Sequence, residues 1–315
     1  MYIGIDLGGT NIAVGLVNEQ MEILAKDSAP TASERGYEAI VKDMAALCEK
    51  VVKEAGTTMQ AVQAVGIGAP GSIESENGVV AYANNLNMHH VPMASELQKY
   101  FDLPVRIEND ANAAAYGEFV INGGDVKDFV FITLGTGVGG GIIIDKKIYS
   151  GFNGAGGELG HMTLIQGGEM CTCGNPGCWE AYASVTALIR QTKDAMAKNP
   201  DSLMCRIAEE QGKVNGRTAF DAAKQGDAAA QAVVDQYITY VASGILSVIN
   251  IFQPEELVIG GGISKEGDYL LNPIREYIEK YGYNKYLDKT EIKIAKLFND
   301  AGIIGAAMAA KAFAK

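Results

Sequence analysis

The sequence has no apolar run that reaches the roughly 18 to 20 residues of a membrane span. Its longest candidate, Val241 to Phe252, is shorter and contains Ser243, Ser247 and Asn250. The N-terminus, MYIGIDLGGT, lacks the basic stretch and apolar core of a signal peptide. We therefore expect a cytoplasmic protein without a membrane partner.

Positive charge is also scarce. The chain of 315 residues has 26 Lys and Arg against 38 Asp and Glu, which gives a formal net charge of −12. Because nucleic acids are polyanions, an acidic chain is a poor candidate for binding them, and no nucleic-acid partner is expected. Hydrophobic residues make up 48% of the chain, which supports a packed core and argues against disorder.

Strand and helix patterns alternate along the chain, and the alternation begins with strands at two places. The apolar run Tyr2 to Asp6 predicts a buried strand, and helical spacing of apolar residues predicts helices over Gly36 to Ala55 and Asp227 to Phe252. The strand pattern begins again at Phe129, after a loop within 121–128. This order predicts an α/β protein with two lobes around a central cleft.

Three glycine-rich turns follow predicted strands, at residues 6–10, 134–141 and 259–264. Glycine lets backbone N–H groups approach an anion, and a carboxylate such as Asp6 can hold Mg²⁺ beside a triphosphate. Any one turn is explained equally well as a tight hairpin, whereas three together favour phosphate binding. The second turn leads into a strand, and no Gly-Lys-Ser/Thr is present, which argues against dinucleotide-binding and P-loop units.

Asn109 and Asp110 lie where a predicted strand gives way to a helix. Phosphoryl transfer to a hydroxyl needs a base that accepts the hydroxyl proton, and Asp110 suits that role. Asn and Asp are also favoured at helix N-caps, which is the commoner explanation for such a pair on the residues alone.

Four potential metal ligands are clustered in the sequence: His161, Cys171, Cys173 and Cys178. One His and three Cys match the ligand number and chemistry of a closed zinc site, and thiolates disfavour Mg²⁺ and Ca²⁺. A redox switch is the alternative. Clustered unliganded thiols would invite oxidation, which favours the metal.

The motifs together resemble the ROK family of bacterial sugar kinases and repressors, in the sugar kinase and actin-like ATPase superfamily. The resemblance covers nearly the whole chain. It is carried by the Asp-x-Gly-Gly-Thr start, the LGTGVGGG turn, Glu-Asn-Asp-Ala-Asn at 108–112, and Glu-x-Gly-His with Cys-x-Cys-Gly-x-x-Gly-Cys-x-Glu within 158–180. It implies an actin-like ATPase (ribonuclease H-like) fold. It also implies a small N-terminal lobe over 1–120, joined by a C-terminal helix at 300–315, and a large lobe over 121–299 that carries the zinc loop.

The resemblance further implies ATP-dependent phosphorylation of a hexose at its 6-hydroxyl, with Asp110 as the general base and Mg²⁺ and structural Zn²⁺ as cofactors. The implied sugar contacts are Gly71, Asn85, Asn109, Asp110, Glu158, His161 and Glu180, with Asn84 as the alternative to Asn85. The implied ATP contacts are Asp6, Gly8, Gly9, Thr10, Asn11, Gly135, Thr136, Gly137, Gly261 and Gly262. The implied zinc ligands are His161, Cys171, Cys173 and Cys178.

Glucose is the substrate that the overall resemblance favours, with N-acetylmannosamine, N-acetylglucosamine, fructose and allose as alternatives. Repressors of the family carry a helix-turn-helix region before the kinase-like part. Here the first phosphate turn begins at Asp6, so a kinase is expected over a sugar-sensing regulator. A polyphosphate donor would call for a run of Lys or Arg that the sequence does not show. Family members are often dimeric, so a homodimer is expected.

Overall fold

The structure is a computed structural model that describes residues 1–122 and 124–313. The chain divides into two compact units. The first comprises Met1–Phe131, Gly141–Gly157 and Lys296–Lys315, and the second comprises Ile132–Gly140 and Glu158–Ala295. Gly123, in the predicted boundary loop, and residues 314 and 315 of the predicted last helix lie outside the described residues. The lobe boundaries given above stay a prediction.

The strands of the described residues form two five-stranded sheets and one three-stranded sheet. The strands are β1 (Tyr2–Leu7), β2 (Asn11–Val17), β3 (Ile23–Pro30), β4 (Ala64–Ala69), β5 (Ser72–Glu74), β6 (Val79–Ala83), β7 (Met88–Val91), β8 (Val105–Asn109), β9 (Phe129–Leu134), β10 (Val138–Ile144), β11 (Lys147–Ile148), β12 (Glu256–Gly260) and β13 (Glu291–Ile294). The sheet orders are β3-β2-β1-β4-β8, β11-β10-β9-β12-β13 and β5-β6-β7. Each large sheet therefore has the order third, second, first, fourth, fifth.

The described residues also form α-helices. They are α1 (Tyr37–Glu54), α2 (Met93–Gln98), α3 (Asp110–Ile121), α4 (Glu180–Ala183), α5 (Val185–Lys198), α6 (Leu203–Glu210), α7 (Thr218–Ala223), α8 (Ala228–Phe252), α9 (Asp268–Tyr281) and α10 (Ala301–Phe313). The apolar spacing in the sequence located α1 and α8. It missed the short helices α6 and α7 and the strands β5 to β7, because segments of three to eight residues carry too little periodicity.

Helix α8 is long and apolar enough to cross a membrane by length and composition. However, 56% of its most apolar window is buried inside the protein, as in the core helix of a soluble protein. Its buried residues include Val234, Val241 and Val248. We therefore assign α8 to the packed core of the second unit.

The central strands of the first sheet are buried on both faces. All six residues of β4 are buried, whereas β3 at the sheet edge alternates between half-buried and exposed residues. Helix α10 packs against β1, β4 and α3. A Cβ at Gly4 or Gly66 would collide with the backbone of α10, so glycine at these positions allows the helix to lie directly on the sheet.

Candidate active site

The turn between β1 and β2, in the first unit, carries the first set of predicted phosphate contacts. The two strands pair in antiparallel register up to Leu7 and Ile12, and the Gly8 N–H donates to the Asn11 carbonyl at 2.9 Å. Thr10 and Asn11 are exposed. The turn therefore offers both side-chain and backbone donors at the end of a central strand.

Asp6 precedes this turn at the end of β1. Burial raises the pKa of its carboxyl to about 6, and the negative charge of Asp110 adds to that rise. A Cβ at Gly302 would lie 2.7 Å from the Asp6 carboxylate, so α10 leaves room for this group only because residue 302 has no side chain. Asp6 is half-buried, and a partly desolvated carboxylate that is costly to ionise is stabilised by a nearby cation.

Asn109 ends β8 and Asp110 begins α3. The Asn109 Oδ1 accepts hydrogen bonds from the N–H groups of Ala111 at 3.0 Å and Asn112 at 3.2 Å, so Asn109 is the N-cap of α3. The Asp110 carboxylate accepts a 2.8 Å hydrogen bond from Ala111, and burial raises the pKa of Asp110. The capping interpretation is therefore confirmed for Asn109, while an ionised Asp110 keeps further lone pairs for a ligand.

Gly71 and Asn85, the other predicted sugar contacts of the first unit, lie close to these groups. The Asn109 Nδ2 donates to the Gly71 carbonyl at 3.2 Å, and Gly71 has a φ of 95°, which favours glycine. A Cβ at Gly9 would lie 2.9 Å from the Asn85 Nδ2. The fold therefore places Asn85 against the phosphate turn and Asn109 against Gly71.

Glu108 is a buried carboxylate to which the sequence analysis gave no role. It is 4% exposed and accepts hydrogen bonds from the Asn109 N–H at 3.2 Å and the Asn112 Nδ2 at 3.4 Å. Arg106 lies 3.5 Å from its carboxylate. Glu108 therefore supports the Asn109–Asp110 corner from inside the protein.

The turn between β9 and β10 is the second predicted phosphate turn and lies in the second unit. The Gly135 N–H donates to the Gly137 carbonyl at 3.0 Å. The Val138 N–H donates to Glu180 Oε2 at 3.0 Å, and a Cβ at Gly137 would collide with the same carboxylate. Glu180 Oε1 lies 3.5 Å from Cys171 Sγ. Glu180 thus connects the second phosphate turn to the cysteine loop.

The four predicted metal ligands converge. The Nδ1 or Nε2 atom of His161 and the Sγ atoms of Cys171, Cys173 and Cys178 all lie within 4.8 Å of one another. Cys171 Sγ is 3.7 Å from His161 Nδ1, and Cys173 Sγ is 3.6 Å from Cys178 Sγ. A tetrahedral zinc ion with Zn–S bonds of about 2.3 Å would separate two sulfur ligands by about 3.8 Å. The cluster therefore has the donor set and spacing to hold such an ion.

Glu158 and the third glycine turn complete the second unit's predicted residues. Glu158 is exposed and precedes a short 3₁₀ helix, in which the His161 N–H donates to the Glu158 carbonyl at 3.0 Å. Gly261 has a φ of 86°, and a Cβ there would collide with the Leu134 carbonyl at the end of β9. Gly262 follows directly and begins another 3₁₀ helix. The third turn therefore lies beside the second.

The predicted residues thus form two sets, one in each unit. The first unit holds Asp6, Gly8, Gly9, Thr10, Asn11, Gly71, Asn85, Asn109 and Asp110. The second holds Gly135, Thr136, Gly137, Glu158, His161, Cys171, Cys173, Cys178, Glu180, Gly261 and Gly262. Their roles as sugar, ATP and zinc ligands remain predictions.

The duplicated sheet order, with a glycine turn after the first strand of each sheet, defines the sugar kinase and actin-like ATPase superfamily. Within it, the chain belongs to the ROK family, whose family model matches residues 2–312. The predicted fold and family are confirmed.

Named relatives are similar along nearly their whole length. A glucokinase from Thermotoga maritima is 40% identical over 97% of this chain and 95% of its own. A glucokinase from Halalkalibacterium halodurans is 38% identical over 96% of this chain and 93% of its own. The crystal structure of a ROK family glucokinase from Streptomyces griseus in complex with glucose and AMPPNP has a TM-score of 0.83 and 34% identity, and the match covers 99% of both chains.

Proposed function

We propose that this protein transfers the terminal phosphoryl group of ATP to the 6-hydroxyl of glucose. The observation that carries the proposal is the Asn109–Asp110 corner, where a half-buried carboxylate lies at the start of α3 beside Asp6 and the first phosphate turn. Full-length similarity to glucokinases, including one bound to glucose and an ATP analogue, supports both the reaction and the substrate. Other hexoses and N-acetylated amino sugars remain alternatives.

Asp110 acts as the general base in this proposal. It accepts the proton of the 6-hydroxyl while the oxygen attacks the terminal phosphorus. Burial raises the pKa of Asp110, which makes its carboxylate a stronger base than a solvated one. The hydrogen bond from Ala111 fixes the direction of the carboxylate.

The first glycine turn would hold ATP phosphates through Gly8, Gly9, Thr10 and Asn11. The second would do so through Gly135, Thr136 and Gly137. Gly261 and Gly262 would face the adenosine. Asp6 would hold Mg²⁺, which when bound neutralises charge on the phosphates. The cost of ionising half-buried Asp6 would fall with the cation beside it, which supports this assignment.

The sugar would be bound by Asn85, Asn109, Glu158, His161 and Glu180, with Gly71 lining the site. Carboxylates and amides suit a ligand rich in hydroxyl donors. Zinc, when bound, would cross-link the loop that contains His161, Cys171, Cys173 and Cys178. Because Glu180 contacts both Cys171 and Val138, this cross-link would also hold the second phosphate turn.

We also propose a cytoplasmic location and a homodimer. The dimer is supported by three exposed side chains that a second copy could cover: Tyr283, Tyr286 and Leu287 are 90%, 97% and 78% exposed. Sedimentation velocity would test this directly. The wild type is expected to sediment as a dimer and Tyr286→Glu as a monomer. A wild type that is monomeric at all concentrations would refute the homodimer.

The decisive experiment measures ADP release from Mg·ATP across a panel of sugars, with Asp110→Asn alongside. Release is expected to be fastest with glucose and to fall by at least about a hundredfold in the variant, the lower end of what a general base contributes. Asp102→Asn, a change at an exposed carboxylate, is the matched control and should leave the rate unaltered. Sugar binding without turnover would instead identify a sugar-sensing regulator.

A further inference from the structure

Thr31 makes two hydrogen bonds to the first phosphate turn although it lies outside every glycine motif. The residue follows β3 and is 0% exposed. Its Oγ1 donates to the Gly8 carbonyl at 2.7 Å, and its N–H donates to the Thr10 carbonyl at 3.0 Å. One buried residue therefore fixes two carbonyl groups of the same turn.

The second phosphate turn is held in the same manner by the start of α5. The Thr186 Oγ1 donates to the Thr136 carbonyl at 2.7 Å, and the neighbouring Val185 N–H donates to the Gly135 carbonyl at 2.8 Å. Thr186 is exposed, unlike Thr31. In each turn, one threonine hydroxyl and one backbone N–H thus occupy two carbonyl oxygens.

These contacts determine the direction in which backbone N–H groups of the turns point. A trans peptide is planar, so the C=O of one residue and the N–H of the next point in opposite directions. Fixing the Gly8 carbonyl on Thr31 therefore directs the Gly9 N–H to the opposite side. Fixing the Thr136 carbonyl on Thr186 does the same for the Gly137 N–H.

A phosphate-binding turn must present N–H groups and keep its carbonyl oxygens away, because those oxygens carry partial negative charge. Gly9 and Gly137 are both among the residues expected to bind ATP. The hydroxyls of Thr31 and Thr186 therefore act on the side of each turn that faces away from these donors.

We infer that Thr31 and Thr186 are positioning residues for nucleotide binding: Thr31 directs the Gly9 N–H at the phosphates, and Thr186 directs the Gly137 N–H at them. The inference rests on the proposed kinase function, since it assumes that the two turns bind ATP. It adds two residues that act through the turn backbone.

Arg35 reinforces the Thr31 contact. Its Nη2 donates to the Thr31 carbonyl at 3.2 Å and to the Asp43 carboxylate of α1 at 2.6 Å. The residue thus links Thr31 to α1, which stabilises the loop after β3. Thr186 has a simpler support, since it lies in the first turn of α5, capped by Ser184.

The test compares Thr31→Val and Thr31→Ser by calorimetric binding of Mg·ADP, with kcat and KM for ATP measured in parallel. Valine keeps the shape and removes the hydroxyl, and serine keeps the hydroxyl. Because one buried hydrogen bond is lost, Thr31→Val should raise the Kd for Mg·ADP about tenfold. Thr31→Ser should stay within about threefold of the wild type, and KM should change more than kcat.

Thr192→Val is the matched control. Thr192 is also 0% exposed, and its Oγ1 donates to the Leu188 carbonyl at 2.7 Å within α5, so its loss perturbs folding without touching a phosphate turn. It should alter thermal stability to a similar extent and leave the Kd for Mg·ADP unchanged. Equal Kd values for Thr31→Val and Thr192→Val would overturn the inference.

Thr186→Val tests the second turn independently and, at an exposed position, is expected to fold. It should raise the Kd about threefold, less than Thr31→Val, because an exposed hydrogen bond contributes less. If neither Thr31→Val nor Thr186→Val changes the Kd for Mg·ADP, the inference is overturned, whereas the kinase function stands as long as the wild type turns over. Wild-type protein that binds no nucleotide would refute the function and the inference together.

Discussion

Asp6 and Asp110 are close enough for the charge of one to act on the other. Burial is the larger cause of the raised pKa of Asp6, and the negative charge of Asp110 adds to it, giving a value of about 6. The two carboxylates have different proposed partners, a cation for Asp6 and a sugar hydroxyl for Asp110. Protonation of Asp6 should therefore be detectable through nucleotide binding.

Nucleotide affinity should depend on pH through Asp6. Below about pH 6 the folded protein holds a proton on Asp6, and a neutral carboxyl binds Mg²⁺ poorly, so the Kd for Mg·ADP should rise as the pH falls. Calorimetry between pH 5 and 8 measures this. Asp110→Asn removes the neighbouring charge and should move the midpoint below 6, whereas an unmoved midpoint would contradict the electrostatic coupling.

The stability of the ligand-free protein should also depend on pH through Asp6, but in the opposite direction: the free protein should be stabilised at low pH. The folded pKa of Asp6 is raised from 3.8 to about 6, so its contribution to stability is fully present below pH 3.8 and is lost as the pH rises through 6. The full shift corresponds to at most about 3 kcal/mol. Asp6→Asn should therefore raise the urea midpoint at pH 8 more than at pH 4. Asp102→Asn should leave the urea midpoint unchanged at both pH values.

Metal removal should weaken both the fold and nucleotide binding. The purified protein is expected to contain one zinc per chain, measured by elemental mass spectrometry. Chelation should lower the melting temperature by several degrees and raise the KM for ATP, because Glu180 connects Cys171 to Val138. Cys173→Ser should reproduce both effects. Cys205→Ser, outside the cluster, is the control, and zinc-free wild type with an unaltered melting temperature would rule out a structural metal.

The two functions of Asn109 can be separated by substitution. Serine caps helices as well as asparagine but lacks the amide donor, so Asn109→Ser should keep stability and raise the KM for glucose. Asn109→Ala loses the cap as well and should cost a further ~1 kcal/mol in the free energy of unfolding. Thermal unfolding and glucose kinetics on both variants measure this. A normal KM in Asn109→Ser would remove Asn109 from the sugar site.

The sequence predicted those parts of the site that are local in the chain. Glycine turns, the His161–Cys178 cluster and the Asn109–Asp110 corner each involve a short stretch whose residue types imply the chemistry. Asn109 shows the limit of that approach, because the same residue fits a helix cap and a ligand contact. The cap is confirmed, and the ligand contact remains a prediction.

Contacts between distant residues could not be predicted in the same way. Thr31 is 23 residues from Gly8, and Thr186 is 50 residues from Thr136. A threonine after a strand or near a helix start carries no signal of what it will touch, because the contact arises only when the sheet has formed. The connection between Glu180 and Val138, 42 residues apart, was missed for the same reason.

The packing of α10 on β1 and β4 has a consequence for how the protein is made. Strand β1 needs residues 301–313 to cover one of its faces, and those residues are synthesised long after it. At about 5–20 residues per second, the nascent N-terminal sheet would wait many seconds with apolar surface uncovered. Chaperone demand during translation should therefore be set by the arrival of α10 rather than by the folding speed of the first sheet.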